Sequence, residues 1–87
     1  MLRGNITSAY SLTAAEALEL AEAWLGPGAR ELGRPGSGVF RSADGLFQFR
    51  MDPNSLLGRH PPNVPHVHFE QFDALGNLFS NNHVPLI

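Results

Sequence analysis

With 87 residues, no cysteine and a net charge of −2, the chain has room for one domain, excludes disulfides and thiolate metal sites, and lacks the cationic balance of a large nucleic-acid footprint. Its 43% apolar and 16% charged residues suit a folded globule, and its apolar runs fall far short of the ~20 residues that span a bilayer. A domain of this size buries roughly 60–65% of its unfolded surface, so its core is expected to be thin.

Residues 1–10 read as an irregular or weakly extended arm. No positive region followed by an apolar run and a cleavage site opens the chain, so no signal peptide is expected. Thr13-Ala14-Ala15-Glu16 is a capping box, in which the Thr13 hydroxyl and the Glu16 carboxylate each satisfy the other's backbone amide. Leu12, Ala15, Leu18, Ala21, Trp24 and Leu25 then recur at helical spacing, while Glu16, Glu19 and Glu22 lie off that stripe as a solvated face. Gly26-Pro27-Gly28 stops the helix, which is predicted over residues 13–25.

Beyond the helix the period changes to two. Val39-Phe40-Arg41 and the run Leu46 to Met51 read as strands, joined by the hairpin signal Ser42-Ala43-Asp44-Gly45. Phe47, Phe49 and Met51 share one face of the second strand; Gln48 and Arg50 share the other. Asp52 to Gly58 reads as a turn or a single helical turn, and Arg59-His60-Pro61-Pro62-Asn63 as a loop. Val64 to Phe72 is the next strand, Asp73-Ala74-Leu75-Gly76 its turn, and Asn77 to Phe79 the return strand. Ser80-Asn81-Asn82 reads as a further turn, and Pro85 assigns the last segment to a sheet edge. The expected fold class is α+β, one domain over residues 1–87: an N-terminal helix packed on a twisted antiparallel sheet of four to five strands.

Charge is unevenly placed. Residues 1–25 carry −2, residues 26–60 carry +2 through Arg30, Arg34, Arg41, Arg50 and Arg59, and residues 61–87 carry −2 with three of the four histidines. The chain has no lysine, and arginine suits fork-like contacts to phosphate or carboxylate.

The candidate chemistry lies on one strand, His66-Val67-His68-Phe69-Glu70. Val67 and Phe69 belong with Phe47 and Phe49 in the core, which leaves His66, His68 and Glu70 in a row on the opposite face, with His83 close by. Three readings stand open. Two imidazoles flanking a phosphodiester can act as general base and general acid, with arginine neutralising the phosphate. Alternatively, His-X-His on a strand is a chelating spacing, and His66, His68, Glu70 and His83 make a Zn or Fe ligand set. Third, the residues are structural, and the domain is a non-enzymatic protein-binding module. The serines, Ser55 among them, lack a nucleophile-elbow context, and Asn81-Asn82 reads as turn chemistry.

The pieces Gly38-Val39-Phe40-Arg41-Ser42, Phe49-Arg50-Met51, Pro65-His66-Val67-His68-Phe69-Glu70 and Asn82-His83-Val84-Pro85-Leu86 resemble the C-terminal toxin domains of bacterial contact-dependent and polymorphic toxin systems. Many of these are similar to the barnase, EndoU, colicin and Rel-type ribonuclease fold. The resemblance implies a ribonuclease that acts on RNA, often tRNA, in the bacterial cytoplasm after delivery from a secreted precursor. It implies no metal or other cofactor, and a cognate immunity protein that silences the enzyme. Catalytic roles would fall on His66, His68, Glu70 and His83, and substrate-binding roles on Arg50, Arg41 and His60. An acidic immunity protein covering the open histidine face is the expected partner.

Overall fold

The computed structural model describes the backbone of residues 4–87 and side chains from residue 7 onward. Strand β1 (Gly4–Thr7) precedes helix α1 (Ala14–Leu25). Then follow β2 (Arg30–Glu31), β3 (Val39–Arg41), β4 (Phe47–Arg50), the short helix α2 (Pro53–Leu56), β5 (His66–Phe72) and β6 (Leu78–Pro85). The fold is α+β, as the sequence pattern predicts. Five strands, β2 to β6, run antiparallel, and β1 adds to β6 in parallel, giving the order β1-β6-β5-β4-β3-β2. The arm expected over residues 1–10 is therefore a strand at Gly4–Thr7, and residues 1–3 lie outside the described residues.

Local chemistry sets the elements. Both arms of the capping box form: Thr13 Oγ1 accepts from the Glu16 amide at 3.1 Å, and Glu16 Oε1 accepts from the Thr13 amide at 2.9 Å. Gly26, with φ of 71°, ends α1 and donates its amide to Glu22. Between β3 and β4, the Gly45 amide donates to Ser42 and the Asp44 carboxylate caps the Leu46 amide, so the Asp-Gly pair makes the turn.

The apolar core occupies one face of the sheet. Ala17 and Ala21 of α1 pack on Phe49, Val67, Phe69 and Val84, with Trp24 edge-on to Phe47 and Phe69. Only these six apolar residues are buried among the described residues, against eight polar or charged ones, which include His66, His68, Glu70 and Asn81. The thin core is therefore backed by a second, polar layer on the opposite face of the sheet.

Two expectations are corrected. Ser80-Asn81-Asn82 is not a turn, and Asn77 to Phe79 is not a separate strand; β6 runs unbroken from Leu78 to Pro85. Pairing on both sides, with β5 and β1, overrides the turn preference of the two asparagines. Nor is that final segment an edge. Pro85 closes a strand that lies inside the sheet, and its carbonyl accepts from the Leu12 amide at 3.0 Å. As the last residue of the strand, it is placed where its missing N–H disrupts little of the ladder.

The polar layer is closed by residues 52–63, which fold back over β5. Gly58 makes this return possible: its φ is +66°, and a Cβ there would lie 2.9 Å from the carbonyl carbon of Val64. Both the left-handed backbone and the close approach select glycine. Gly58→Ala should destabilise the fold by at least about 1 kcal/mol, from the left-handed penalty alone, read as a lowered urea midpoint with unchanged slope.

Candidate functional site

Cross-strand register assembles the polar layer. Gln48 of β4 pairs with Glu70, and Arg50 with His68; on the other side, His68 pairs with His83, and Glu70 with Asn81. Partners in register share a face. Strand alternation thus places Gln48, Arg50, His66, His68, Glu70, Asn81 and His83 together, as the period-2 pattern predicts for His66, His68 and Glu70. The exposed face or cleft expected for these three residues is corrected: a lid covers it, and Glu70 is buried with the two histidines. His66 and His68 are 0% and 1% exposed, because α2 and the loop carrying His60 lie over them.

The four imidazoles form one cluster, with ring centroids 4.7 Å apart for His60 and His66, 4.8 Å for His66 and His68, and 4.4 Å for His68 and His83. One ring nitrogen each of His60, His66 and His68 lies within 4.8 Å of the other two. His66 Nε2 is 3.2 Å from His68 Nε2. The outward nitrogens are held by oxygens: His66 Nδ1 by the Val64 carbonyl at 2.7 Å, His68 Nδ1 by Asn81 Oδ1 at 2.9 Å, and His60 Nδ1 by the Pro61 carbonyl at 3.2 Å. A carbonyl oxygen can only accept, so the tautomer that satisfies each of these contacts carries its hydrogen on Nδ1 and leaves Nε2 as a lone pair. Arg50 Nη2 also faces His68 Nδ1, at 3.2 Å, but Asn81 is nearer and takes that hydrogen.

Ser55 sits where these rings converge. Its hydroxyl is fully buried, donates to Asp52 Oδ1 at 2.7 Å, and lies 2.9 Å from His68 Nε2 and 3.1 Å from His60 Nε2. The sequence pattern gave Ser55 and Asn81 no role, and the structure places both against His68. Asn81 carried a readable signal, since with His83 and Pro85 it keeps the two-residue period of a single strand. Ser55 carried none.

The remaining candidates are engaged elsewhere. Glu70 Oε1 accepts from Gln48 at 2.7 Å and faces Arg50 Nε at 3.2 Å, an ion pair without hydrogen-bond alignment. It therefore braces the arginine and is not among the converging nitrogens. Arg41 donates twice to Gln48 Oε1 and lies over the Phe72 ring, so it supports the same chain of contacts from β3. His60, expected among the substrate-binding residues, instead completes the three-histidine cluster. His83 packs edge-on against His68 at the half-buried margin of the layer.

Burial dominates the electrostatics. It lowers the pKa of His68 to about 4; the hydrogen bond to Asn81 opposes this, and the charge of Arg50 reinforces it. Burial likewise lowers His66, against the Val64 hydrogen bond. Both rings are neutral at physiological pH, the form in which imidazole binds metals. Burial would raise Asp52, but the Ser55 hydrogen bond and the Arg50 charge hold it below its ordinary value. On the helical side of the sheet lies an apolar cavity of about 400 Å³ lined by Tyr10, Leu12, Leu20, Trp24 and Val84, with no histidine or carboxylate in its wall.

Compared with known proteins, the chain matches no family model, and neither a curated protein nor a solved structure is significantly similar to it.

The lowered His68 pKa has a consequence for stability. The unfolded ring takes a proton near pH 6.5, while the folded ring resists until about 4, so the unfolded state binds more protons between those values. Stability of the metal-free chain is therefore complete above pH 6.5 and lost as pH falls through that window. Denaturant unfolding at pH 7 and pH 4.5 should differ by on the order of 2 kcal/mol, and His68→Gln should flatten the dependence.

Proposed function

We propose that this domain binds a divalent transition metal of the zinc class through His60, His66 and His68. The observation that carries the reading is the orientation of the three rings: each Nδ1 faces an oxygen, and one nitrogen of each ring lies within 4.8 Å of the other two. Histidine ligands are characteristically oriented in this way, by outer hydrogen bonds to carbonyl or carboxylate oxygens. Zinc held at 2.0–2.1 Å by imidazole in tetrahedral geometry separates its donor atoms by about 3.3 Å. The 3.2 Å between the Nε2 atoms of His66 and His68 already matches that spacing. His60, carried by a loop, would close in to complete it.

The metal reading accounts for the closed polar layer better than acid–base catalysis does. A general acid must reach its substrate and hold a proton near the working pH. His66 and His68 are sealed and held neutral, so the ribonuclease implied by the toxin resemblance would require residues 52–63 to open. Metal binding needs neutral, dry, converging nitrogens. It also suits a small domain without cysteine, because a ligand that binds only the folded state stabilises it by mass action.

Elemental analysis of the purified chain should find about one zinc per molecule, lost in His66→Ala and in His68→Ala. Chelation should lower the melting temperature by about 10 °C, the shift expected for a chain of this size saturated well above its Kd. A chain that holds no metal and gains no stability from added zinc would overturn this reading. RNA cleavage that persists in chelator and disappears in His68→Ala would put the acid–base reading in its place.

A further inference from the structure

We infer that Ser55 supplies the fourth donor atom of this site, so that the metal is enclosed by four side chains and has no position open to water. The inference rests on the metal reading above and adds a ligand, a geometry and a role to it. Its first support is spacing. Three edges of the expected tetrahedron are present: His66 Nε2 to His68 Nε2 at 3.2 Å, His68 Nε2 to Ser55 Oγ at 2.9 Å, and Ser55 Oγ to His60 Nε2 at 3.1 Å. Each is close to the edge of about 3.3 Å set by tetrahedral zinc.

The second support is a shortage of hydrogens. Ser55 has one hydroxyl hydrogen, and Asp52 Oδ1, at 2.7 Å, can only accept it. The lone pairs of Ser55 Oγ therefore face the histidines. The three rings carry their hydrogens on Nδ1, toward Val64, Asn81 and Pro61, so their Nε2 atoms also present lone pairs. Four acceptors converge with no hydrogen among them, three on the buried Ser55, His66 and His68 and the fourth on the half-buried His60. Such a set is unfavourable when empty and is what a cation requires.

Ser55 can bind as the neutral hydroxyl, because Asp52 accepts its hydrogen and strengthens the oxygen as a donor. No proton need leave. With the shell closed, the metal does not activate water; it fastens α2 and the His60 loop onto β5. Structural metal sites have four protein ligands, and catalytic ones leave a position free.

Cobalt(II) reports the shell directly. The full-length chain loaded with cobalt should bind one ion and give a tetrahedral visible spectrum that azide does not shift. Ser55→Cys should add a near-ultraviolet thiolate-to-cobalt charge-transfer band, which appears only if side chain 55 touches the metal. Ser55→Ala should bind cobalt about tenfold more weakly or worse, in line with losses at metal-supporting residues, and its spectrum should shift with azide as water or anion enters the vacated position. Two results would overturn the inference: cobalt-loaded Ser55→Cys without the band, or a wild-type spectrum that azide shifts as readily as that of Ser55→Ala. Should neither variant fold, the wild type alone decides: a cobalt spectrum unchanged by saturating azide supports the closed shell, and one that azide shifts overturns it. A wild-type chain that binds neither cobalt nor zinc removes the metal reading itself, and this inference with it.

Discussion

A neutral imidazole can be buried at the centre of a sheet only where both of its nitrogens find partners. His68 meets half of that condition by itself, donating from Nδ1 to Asn81; its Nε2 lone pair faces Ser55 and His66 and finds its partner only in a metal of the kind proposed above. The requirement links three parts of the chain. It draws α2 down onto β5, because Ser55 must reach the ring. It holds β6 in register, because Asn81 stands opposite Glu70 and diagonal to His68. It also turns Arg50 toward Glu70, because the guanidinium has no lone pair to use on a ring whose Nδ1 hydrogen is already donated.

Much of this architecture was legible in the sequence, and the reason is local. The capping box, the Asp-Gly turn and the alternation of Phe47, Phe49, Val67 and Phe69 depend on residues a few positions apart. The face shared by His66, His68 and Glu70 follows from the same alternation. What was not legible depends on distant contacts. Ser55 and His68 are thirteen residues apart, joined through a loop whose path is set by the left-handed Gly58 and its approach to Val64. The unbroken course of β6 was hidden because asparagine favours turns in isolation, whereas pairing on both sides decides its state here. The parallel addition of Gly4–Thr7 likewise comes from the exposed edge of β6 and not from any strong strand pattern of its own.

The same packing changes what the basic middle segment can do. Arg41 and Arg50 are tied to Gln48, Phe72 and Glu70, while Arg30, Arg34 and Arg59 are exposed. Two of the five arginines are thus internal braces, and the positive charge left for a partner is scattered. The face expected to meet RNA or an acidic inhibitor lies beneath residues 52–63. For such a partner to engage the histidines, that segment would have to move, taking Ser55 away from His68 and His60 away from His66.

The division of labour between the two faces follows from size. A chain this short cannot bury enough apolar surface on one side of a six-stranded sheet to hold the other side in place as well. Among the described residues, six buried apolar side chains support the helical face, and no apolar layer seals the opposite one. Hydrogen bonds replace that layer, and their energetics differ in kind. Apolar contacts weaken gradually as side chains shrink, but a satisfied polar layer fails abruptly, because each lost partner leaves a buried group unpaired. A polar lid of this type is therefore stable only as a unit. A cation at its centre would bind the unit together at the point where the four donor atoms of the proposed site meet, in a chain that has no cysteine to cross-link the segment to the sheet.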